Sequence, residues 1–229
     1  MEGFLLHKRR FKESSLLVEL LTLENGRVTA IVKGALRAKS RLGMALEHLI
    51  RLRMETVGKS RLPILTRAEA IENFPRLSGI DSFSLLYANE LIIKSFAQDD
   101  PIPDIYREYI KLLNALTKKK SSESALRYFE LTLLKTMGVK PLLDHTTDTN
   151  LPISPTETYY FDPYNGISED RWPSPSCLEV KGQTLTLLER ESELIDQPAK
   201  EAKLLMRMLI QHHLEGRTLN ARKLLPRKP

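Results

Sequence analysis

The chain has 229 residues, a formal net charge of +6 and one cysteine. A single cysteine excludes an intramolecular disulfide and a zinc site built from several cysteines, which fits a reducing compartment. No apolar run is long enough for a signal peptide or a membrane span, so we expect a cytoplasmic protein.

The positive charge is concentrated in the first third of the chain. Residues 1–80 hold 15 Lys and Arg against 8 Asp and Glu, a net of +7, whereas residues 81–150 and 151–229 have net charges of −1 and zero. A local excess of this kind attracts nucleic acid or another anionic surface. Plain solubility explains the asymmetry less well.

This first third alternates between apolar and polar residues, as β-strands do. Asn25-Gly26 is typical of a type I′ hairpin turn, in which both central residues need a positive φ. Five short antiparallel strands with one apolar face favour a closed barrel of the OB type, with an SH3-like barrel as the alternative. The five strands are predicted over residues 4–7, 16–23, 28–32, 50–55 and 62–68.

After about residue 80 the apolar spacing becomes that of helices, with Asp81 as a candidate cap of the first. Gly138 and Gly216 fit the ends of the third and fourth helices. Residues 141–198 are rich in Pro, Thr, Ser and Asp, and predict a loop-rich excursion with a short strand at residues 159–161. Helices are predicted within residues 81–96, 105–116, 122–137 and 199–215.

The predicted fold class is therefore α+β. A five-stranded OB-type barrel occupies residues 1–79, and an all-α helical domain with the less regular insertion occupies residues 80–229. The last 14 residues hold five cations and no acid. They predict either a short amphipathic turn docked on the helices or a frayed basic tail.

The segment from residue 33 to residue 41 holds four cations and no acid, directly after the predicted hairpin. A cationic loop held by a rigid sheet grips phosphates at little ordering cost, whereas the alternative is a solvated surface loop. Strand alternation places two further arginines on one sheet face beside it, which would make the basic surface continuous. The candidate DNA-binding residues are Lys33, Arg37, Lys39, Arg41, Arg51 and Arg53.

No catalytic arrangement stands out, because the five histidines are scattered and none has metal-ligand spacing with Cys, Asp or Glu. We therefore expect no catalytic residue, no metal and no cofactor. The first 80 residues contain only three aromatic residues, Phe4, Phe11 and Phe74. So few rings predict binding dominated by the phosphate backbone, which tolerates single and double strands and depends steeply on salt.

The chain resembles the RecO family of recombination mediator proteins, from residue 4 to about residue 138 and more weakly near the C-terminus. The resemblance implies an OB domain, a helical domain, binding to single- and double-stranded DNA, and annealing of complementary strands. Many members also carry a four-cysteine zinc site; this chain has only Cys177 and resembles the zinc-free branch. The motifs that carry the resemblance are ESSLLV at 13–18, LTLENG at 21–26, VKGA at 32–35, KS at 39–40, YANEL at 87–91, RYFEL at 127–131, LL at 133–134 and Gly138.

The resemblance also implies protein partners. The family engages the acidic, hydrophobic tail of single-stranded-DNA-binding protein and helps to load RecA, often together with RecR. Such a tail needs an apolar groove edged by cations, which the helices at 105–116 and 122–137 could supply. The candidate edge residues are Lys111, Arg127 and Lys135, with a structural salt bridge as the alternative role of Arg127.

The favoured function is a non-catalytic DNA repair and recombination mediator, which would be associated with the nucleoid. One alternative is an RNA-binding or translation-associated OB-fold protein. The others are a DNA-processing enzyme with a cryptic site and a protein–protein scaffold.

Overall fold

A computed structural model describes residues 1–58, 62–214 and 217–221. The chain divides into two units, one comprising Met1–Lys118 with residues 219–221 and the other comprising Lys119–Thr218. The helix end predicted at Gly216 and the tail cations from Arg222 onwards lie outside the described residues.

The first unit is built on a closed barrel with the strand order β1-β2-β3-β5-β4. All its pairings are antiparallel except a short parallel pairing between β3 and β5. The alternating apolar residues point into one core, which confirms the predicted five-stranded barrel. The strands are β1 (Glu2–Phe11), β2 (Ser15–Thr22), β3 (Gly26–Val32), β4 (Ile50–Val57) and β5 (Ile64–Asn73).

The β2–β3 hairpin differs in its turn from the type I′ prediction. Thr22 pairs with Gly26, so the loop has three residues, and Asn25 does not adopt a positive φ. Only Gly26 does, at +62°, as in hairpins closed by a glycine bulge. A Cβ on Gly26 would lie 1.8 Å from the carbonyl oxygen of Asp100. A distant segment packed on this turn therefore requires the glycine, which a local dipeptide pattern could not indicate.

Three helices complete the first unit: α1 (Arg41–Ala45), α2 (Ile80–Ser95) and α3 (Pro103–Lys118). The N-cap of α2 is Gly79, so the predicted cap at Asp81 is wrong, and Asp81 lies buried in the first turn.

Side chains connect these helices to the barrel. Arg27 of β3 donates to the carbonyl of Phe96 at 2.8 Å, which satisfies an unpaired carbonyl at the C-terminal end of α2. Tyr109 of α3 donates to Asn89 of α2 at 2.8 Å, and Asn89 donates to the Leu6 carbonyl at 3.0 Å. These buried bonds fix the orientation of both helices on β1.

The second unit contains three helices and a small antiparallel sheet of order β7-β6-β8. Residues 141–198 thus hold more regular structure than their composition indicates, because strands of three to five residues are too short to show a clear period. The strand predicted at residues 159–161 is present within β6. The elements are α4 (Ser122–Thr136), β6 (Thr158–Asp162), β7 (Gly166–Ser168), β8 (Leu178–Lys181), α5 (Gly182–Glu189) and α6 (Asp196–His213).

The end of α4 follows the sequence closely. Gly138 has a φ of +76°, and its amide donates to the Lys135 carbonyl while the Val139 amide donates to the Leu134 carbonyl, both at 2.9 Å. This pair of bonds is a Schellman motif, which a glycine at this position favours. Among the described helices of both units, none is long and apolar enough to cross a membrane.

Candidate nucleic-acid interface

The loop that follows β3 is anchored to the barrel at several points. Gly34 turns the chain with a φ of +67°, and the next residue, Ala35, is buried in the barrel core. Ser40 caps α1 by accepting a hydrogen bond from the Gly43 amide at 3.1 Å. Leu46, directly after α1, is fully buried in the same core. The loop and α1 are therefore held in one conformation by the barrel.

This anchored segment presents its cations to solvent. All four are exposed, and within the described parts of the chain none of them forms an ion pair with a carboxylate. Their charges are therefore not compensated locally and are available to an anionic ligand. They are Lys33, Arg37, Lys39 and Arg41.

The structure adds cations from the end of β1 and from the β1–β2 turn that the sequence reasoning missed. Arg9, Arg10 and Lys12 are exposed and likewise form no ion pair with any described residue. The Leu36 amide donates to the Ser14 carbonyl at 3.0 Å, which joins this turn to the cationic loop. The run Lys-Arg-Arg at residues 8–10 is the signal for these cations in the sequence, but the predicted first strand covers only residues 4–7.

We call the four loop cations and these three further cations the cationic surface. Glu13 is the acid in the turn beside them. Strand register supports their proximity, because Arg10 pairs with Leu16 and Leu16 pairs with Val32, next to Lys33. The cationic surface comprises Arg9, Arg10, Lys12, Lys33, Arg37, Lys39 and Arg41.

Lys8 has a different role from its neighbours. Its Nζ donates to the Leu46 carbonyl at 2.8 Å and to Glu47 at 2.7 Å. The ammonium group thus fastens the segment after α1 to β1, which holds the cationic surface in place.

Arg51 and Arg53 alternate outward on β4, but both form ion pairs with Glu2, at 3.0 and 3.2 Å. They face Phe4 and Glu2 at the start of β1, whereas the cationic surface lies at the end of that strand. Glu2 and Arg10 are eight positions apart along the strand, roughly 26 Å. The structure thus places these arginines apart from the loop and gives them a carboxylate partner, so their contact with DNA stays a prediction.

The surroundings of Arg51 show this compensation. Burial alone would lower the pKa of Arg51, but Tyr106 and the carboxylates of Glu2 and Glu72 outweigh it and raise the pKa. The guanidinium is thus held as a cation by groups of its own chain.

The three predicted partner-binding residues fall in different environments. Lys111 on α3 is exposed and forms an ion pair with Glu108 at 2.8 Å, and Lys135 on α4 is exposed. Arg127 is only 5% exposed, and its Nη1 lies 3.0 Å from Glu130 Oε2. This intrahelical pair matches the structural alternative considered for Arg127, whose contact with a partner stays a prediction.

The apolar faces predicted to line a peptide groove are largely used in packing. On α3, Ile105, Tyr109 and Leu112 are buried in the first unit, and on α4, Phe129 and Leu133 are buried in the second. The two helices belong to separate units, and these residues of both stripes are buried.

The chain's residues do not fit the four-cysteine zinc site of many RecO proteins. Cys177 is the one cysteine, and it is half-buried and free. Across the described residues no group of three or more His, Cys, Asp or Glu is placed to hold a metal ion.

A closed five-stranded barrel with uncompensated cations on the loops at one end defines an OB-type nucleic-acid-binding architecture. Two family models cover almost the whole chain: recombination protein O N terminal over residues 1–74 and recombination protein O C terminal over residues 76–223. The chain belongs to the recombination protein O (RecO) family.

Curated relatives agree with this assignment. The DNA repair protein RecO of Ralstonia nicotianae is 33% identical over 97% of this chain and 82% of its own length. The protein of the same name from Aliivibrio salmonicida is 33% identical over 98% of this chain and 94% of its own. That of Methylococcus capsulatus is 35% identical over 97% and 90%.

Proposed function

We propose that this chain is a non-catalytic DNA repair and recombination mediator. It binds single- and double-stranded DNA through the cationic surface and anneals complementary strands. Membership of the RecO family and the names of its relatives support the role in DNA repair.

The observation that carries the proposal is the lack of local compensation at the cationic surface. On the strands β4 and β5 as the structure describes them, the exposed arginines are paired: Arg53 with Glu2 and Arg67 with Glu69. Seven cations beside one acid, on a rigid support, form a site for several phosphates at once. Because such contacts go to the backbone, they need no particular base sequence.

Annealing requires no bond chemistry. Two strands repel each other, and a cationic surface that holds both lowers this repulsion and raises their local concentration. Base pairing then drives product formation. The protein supplies electrostatic screening and proximity, so no catalytic residue is required.

The proposal extends to protein partners on the basis of the family resemblance. The chain would engage the acidic tail of single-stranded-DNA-binding protein and help to load RecA, together with RecR. Lys111 and Lys135 are exposed and remain candidates for contact with an acidic peptide. The test is binding of a tail peptide to Lys111→Glu and Lys135→Glu variants, in which unchanged affinity would remove these residues from the site.

A salt series tests DNA binding directly. A variant in which the four loop cations become glutamine should bind a single-stranded oligonucleotide much more weakly. Each cation that neutralises a phosphate contributes about −0.7 to the slope of log K against log salt, so the slope should flatten by up to about 2.8. The substitutions are Lys33→Gln, Arg37→Gln, Lys39→Gln and Arg41→Gln.

A matched variant changes the same net charge outside the cationic surface. It should retain the slope of the unmodified protein, which separates local contacts from the effect of total charge. Equal losses in both variants, or no loss in either, would contradict the assignment of the cationic surface. The control substitutions are Lys118→Gln, Lys119→Gln, Lys200→Gln and Arg207→Gln, all at exposed positions.

Annealing is tested with complementary strands coated by single-stranded-DNA-binding protein. The unmodified chain should accelerate duplex formation, and the loop variant should not. Equal affinity for RNA and no response to the coated strands would favour an RNA-binding protein instead.

A further inference from the structure

Apolar side chains lie among the cations of the cationic surface. Met44 on α1 is 66% exposed and Leu36 in the loop is 38% exposed. Phe11, at the end of β1, is half-buried. Phe4 is buried and Phe74 packs against it, so Phe11 is the one ring of the barrel sequence that lies at this surface.

Backbone contacts place these three residues on adjoining segments. Phe11 pairs with Ser15, and the preceding residue, Ser14, accepts the hydrogen bond from the Leu36 amide. Gly43 also packs closely on Ala35, because a Cβ on Gly43 would lie 2.1 Å from the Ala35 carbonyl oxygen. Gly43 directly precedes Met44, and Ala35 directly precedes Leu36. We call Phe11, Leu36 and Met44 the apolar strip.

The fold leaves Met44 and Leu36 exposed and Phe11 half-buried, although it buries their neighbours. Leu46 and Ala35 pack into the barrel core, and Leu42 packs against it, while Met44 on the same helical segment is left in water. Single exposed apolar residues need no explanation, but three on the adjoining segments that also carry the cations form a composite surface. Its natural ligand combines negative charge with flat apolar groups.

Unpaired nucleic acid has this combination, because phosphates alternate along the strand with exposed base faces. Lys12 Nζ lies over the Phe11 ring, 5.5 Å from its centre, so a cation and an aromatic ring occupy the same place on this surface. Met, Leu and Phe side chains are also those that proteins insert against or between bases. In a duplex the base faces are stacked and cannot meet the apolar strip.

We propose that the apolar strip contacts the bases of unpaired strands and gives the cationic surface a preference for single-stranded over double-stranded nucleic acid. The proposal rests on the proposed function, since it assigns the ligand conformation at the same site. It refines the sequence-based expectation of binding dominated by the phosphate backbone. Phosphates supply most of the affinity, and the bases supply the discrimination between single and double strands.

Abasic DNA separates the two contributions, because it keeps every phosphate and lacks every base. The unmodified chain should bind a single strand about tenfold more tightly than an abasic strand of equal length, given the contribution of each base contact. A variant of the apolar strip should bind both strands equally, at the abasic level, and should keep its duplex affinity. The substitutions are Phe11→Ser, Leu36→Ser and Met44→Ser.

A matched control replaces three exposed apolar residues elsewhere in the first unit and should keep the preference for the normal strand. These are Val57→Ser, Ile71→Ser and Ile80→Ser. Should Phe11→Ser impair folding, the double variant Leu36→Ser with Met44→Ser suffices, since both of these residues are exposed. The double variant should lose most of the difference in affinity between the normal and the abasic strand.

Three results would overturn the proposal. The unmodified chain could bind normal and abasic strands equally. Alternatively, the apolar-strip variant could keep the full difference in affinity between the two strands. The variant could also lose binding of an acidic, apolar peptide while keeping its dependence on bases, which would assign the apolar strip to a protein. The glutamine variant of the loop cations distinguishes failure of this proposal from failure of the proposed function. If that variant loses DNA affinity while the apolar-strip variant binds as the unmodified chain does, the cationic surface still binds DNA but the apolar strip does not contact the bases.

A fluorescent reporter gives a second readout. Met44→Trp places an indole in the apolar strip, and the natural Trp172 lies in the other unit. Stacking with bases should quench the new emission on binding a normal strand and leave it unchanged on binding an abasic strand. Equal quenching by both strands would contradict base contact.

Discussion

Basic residues that look alike in the sequence have different roles in the fold. Arg37 is exposed on the cationic loop, Arg53 is paired with Glu2 across two strands, and Arg127 is buried against Glu130. Solvent exposure and the presence of a carboxylate partner decide which of them a ligand can reach. Local sequence shows neither property.

The pair formed by Arg127 and Glu130 predicts a strong asymmetry between single and double substitutions. Arg127→Met should reduce the free energy of unfolding by about 3–5 kcal/mol, because it leaves a buried carboxylate without its cation. Adding Glu130→Leu removes that carboxylate and should recover most of the loss. Denaturant titration measures both, and a double variant no more stable than the single one would refute the assignment.

His48 predicts a pH dependence of the first unit. Burial lowers the pKa of His48 below 6.5, and the hydrogen bond with the Leu5 carbonyl at 3.0 Å only partly opposes this. The unfolded chain therefore takes up a proton at higher pH than the folded one, so stability falls as the pH drops below about 6.5. His48→Gln should flatten this fall between pH 7 and pH 5.

The matched control for His48 is Asn73→Gln, since Asn73 is an exposed residue of the same barrel and carries no titratable group. It should leave the pH dependence of unfolding as in the unmodified chain. An equal effect of both substitutions would show that His48 burial is not the cause.

At the scale of elements, the support of the cationic loop matters as much as its charge. The loop reaches its position through the core contacts of Ala35 and Leu46 and the close approach of Gly43 to Ala35. None of these residues carries charge, and each sets where the cations lie.

Gly43→Ala tests this support without changing any charge. Its new Cβ would meet the Ala35 carbonyl oxygen at 2.1 Å, which forces α1 away from the loop. We expect DNA affinity to fall several-fold, as contacts placed by a rigid scaffold are lost. Ala38→Ser, at an exposed position of the same loop, should have no effect in the same binding assay. Wild-type affinity in Gly43→Ala would show that the loop tolerates this displacement.

Secondary structure follows the local patterns where the elements are long. The alternation in β2 to β5 and the apolar stripes of α3 and α4 are signals with several repeats, so both were read correctly from the sequence. The short strands β7 and β8 have three and four residues and offer too few repeats. The turn at Gly26 was misassigned because its geometry depends on Asp100, which lies far away in the sequence.

At the scale of the whole molecule, the chain leaves the first unit after Lys118 and returns to it at residue 219. Glu90 of α2 receives the returning segment, accepting hydrogen bonds from the amides of Asn220 and Ala221 at 2.9 and 2.8 Å. The described part of the predicted C-terminal tail is thus docked, with Leu219 buried.

Glu90 gives this docking a pH dependence. Burial would raise the pKa of Glu90, but the amides of Ala221 and Asn220 and the ammonium of Lys94 outweigh it and lower the pKa below 4.5. The carboxylate therefore contributes its full stabilisation above that value and loses it as the pH falls through the lowered pKa. Glu90→Gln should remove this contribution, about 1–2 kcal/mol.

Hydrogen exchange at the amides of Asn220 and Ala221 measures the effect. Protection should fall in Glu90→Gln and remain unchanged in Glu13→Gln, a matched change at an exposed carboxylate. Undiminished protection in Glu90→Gln would mean that other contacts hold the segment.

The amino-acid sequence by itself determined the strands of the barrel, the long helices and the density of cations at residues 33–41, because all three are local properties. Tertiary structure decided which cations stay uncompensated. Glu2 reaches Arg51 and Arg53 some 50 positions away, and the fold brings the turn after β1 beside the loop after β3. Ion pairing and proximity between distant segments depend on strand register, which appears only when the barrel closes.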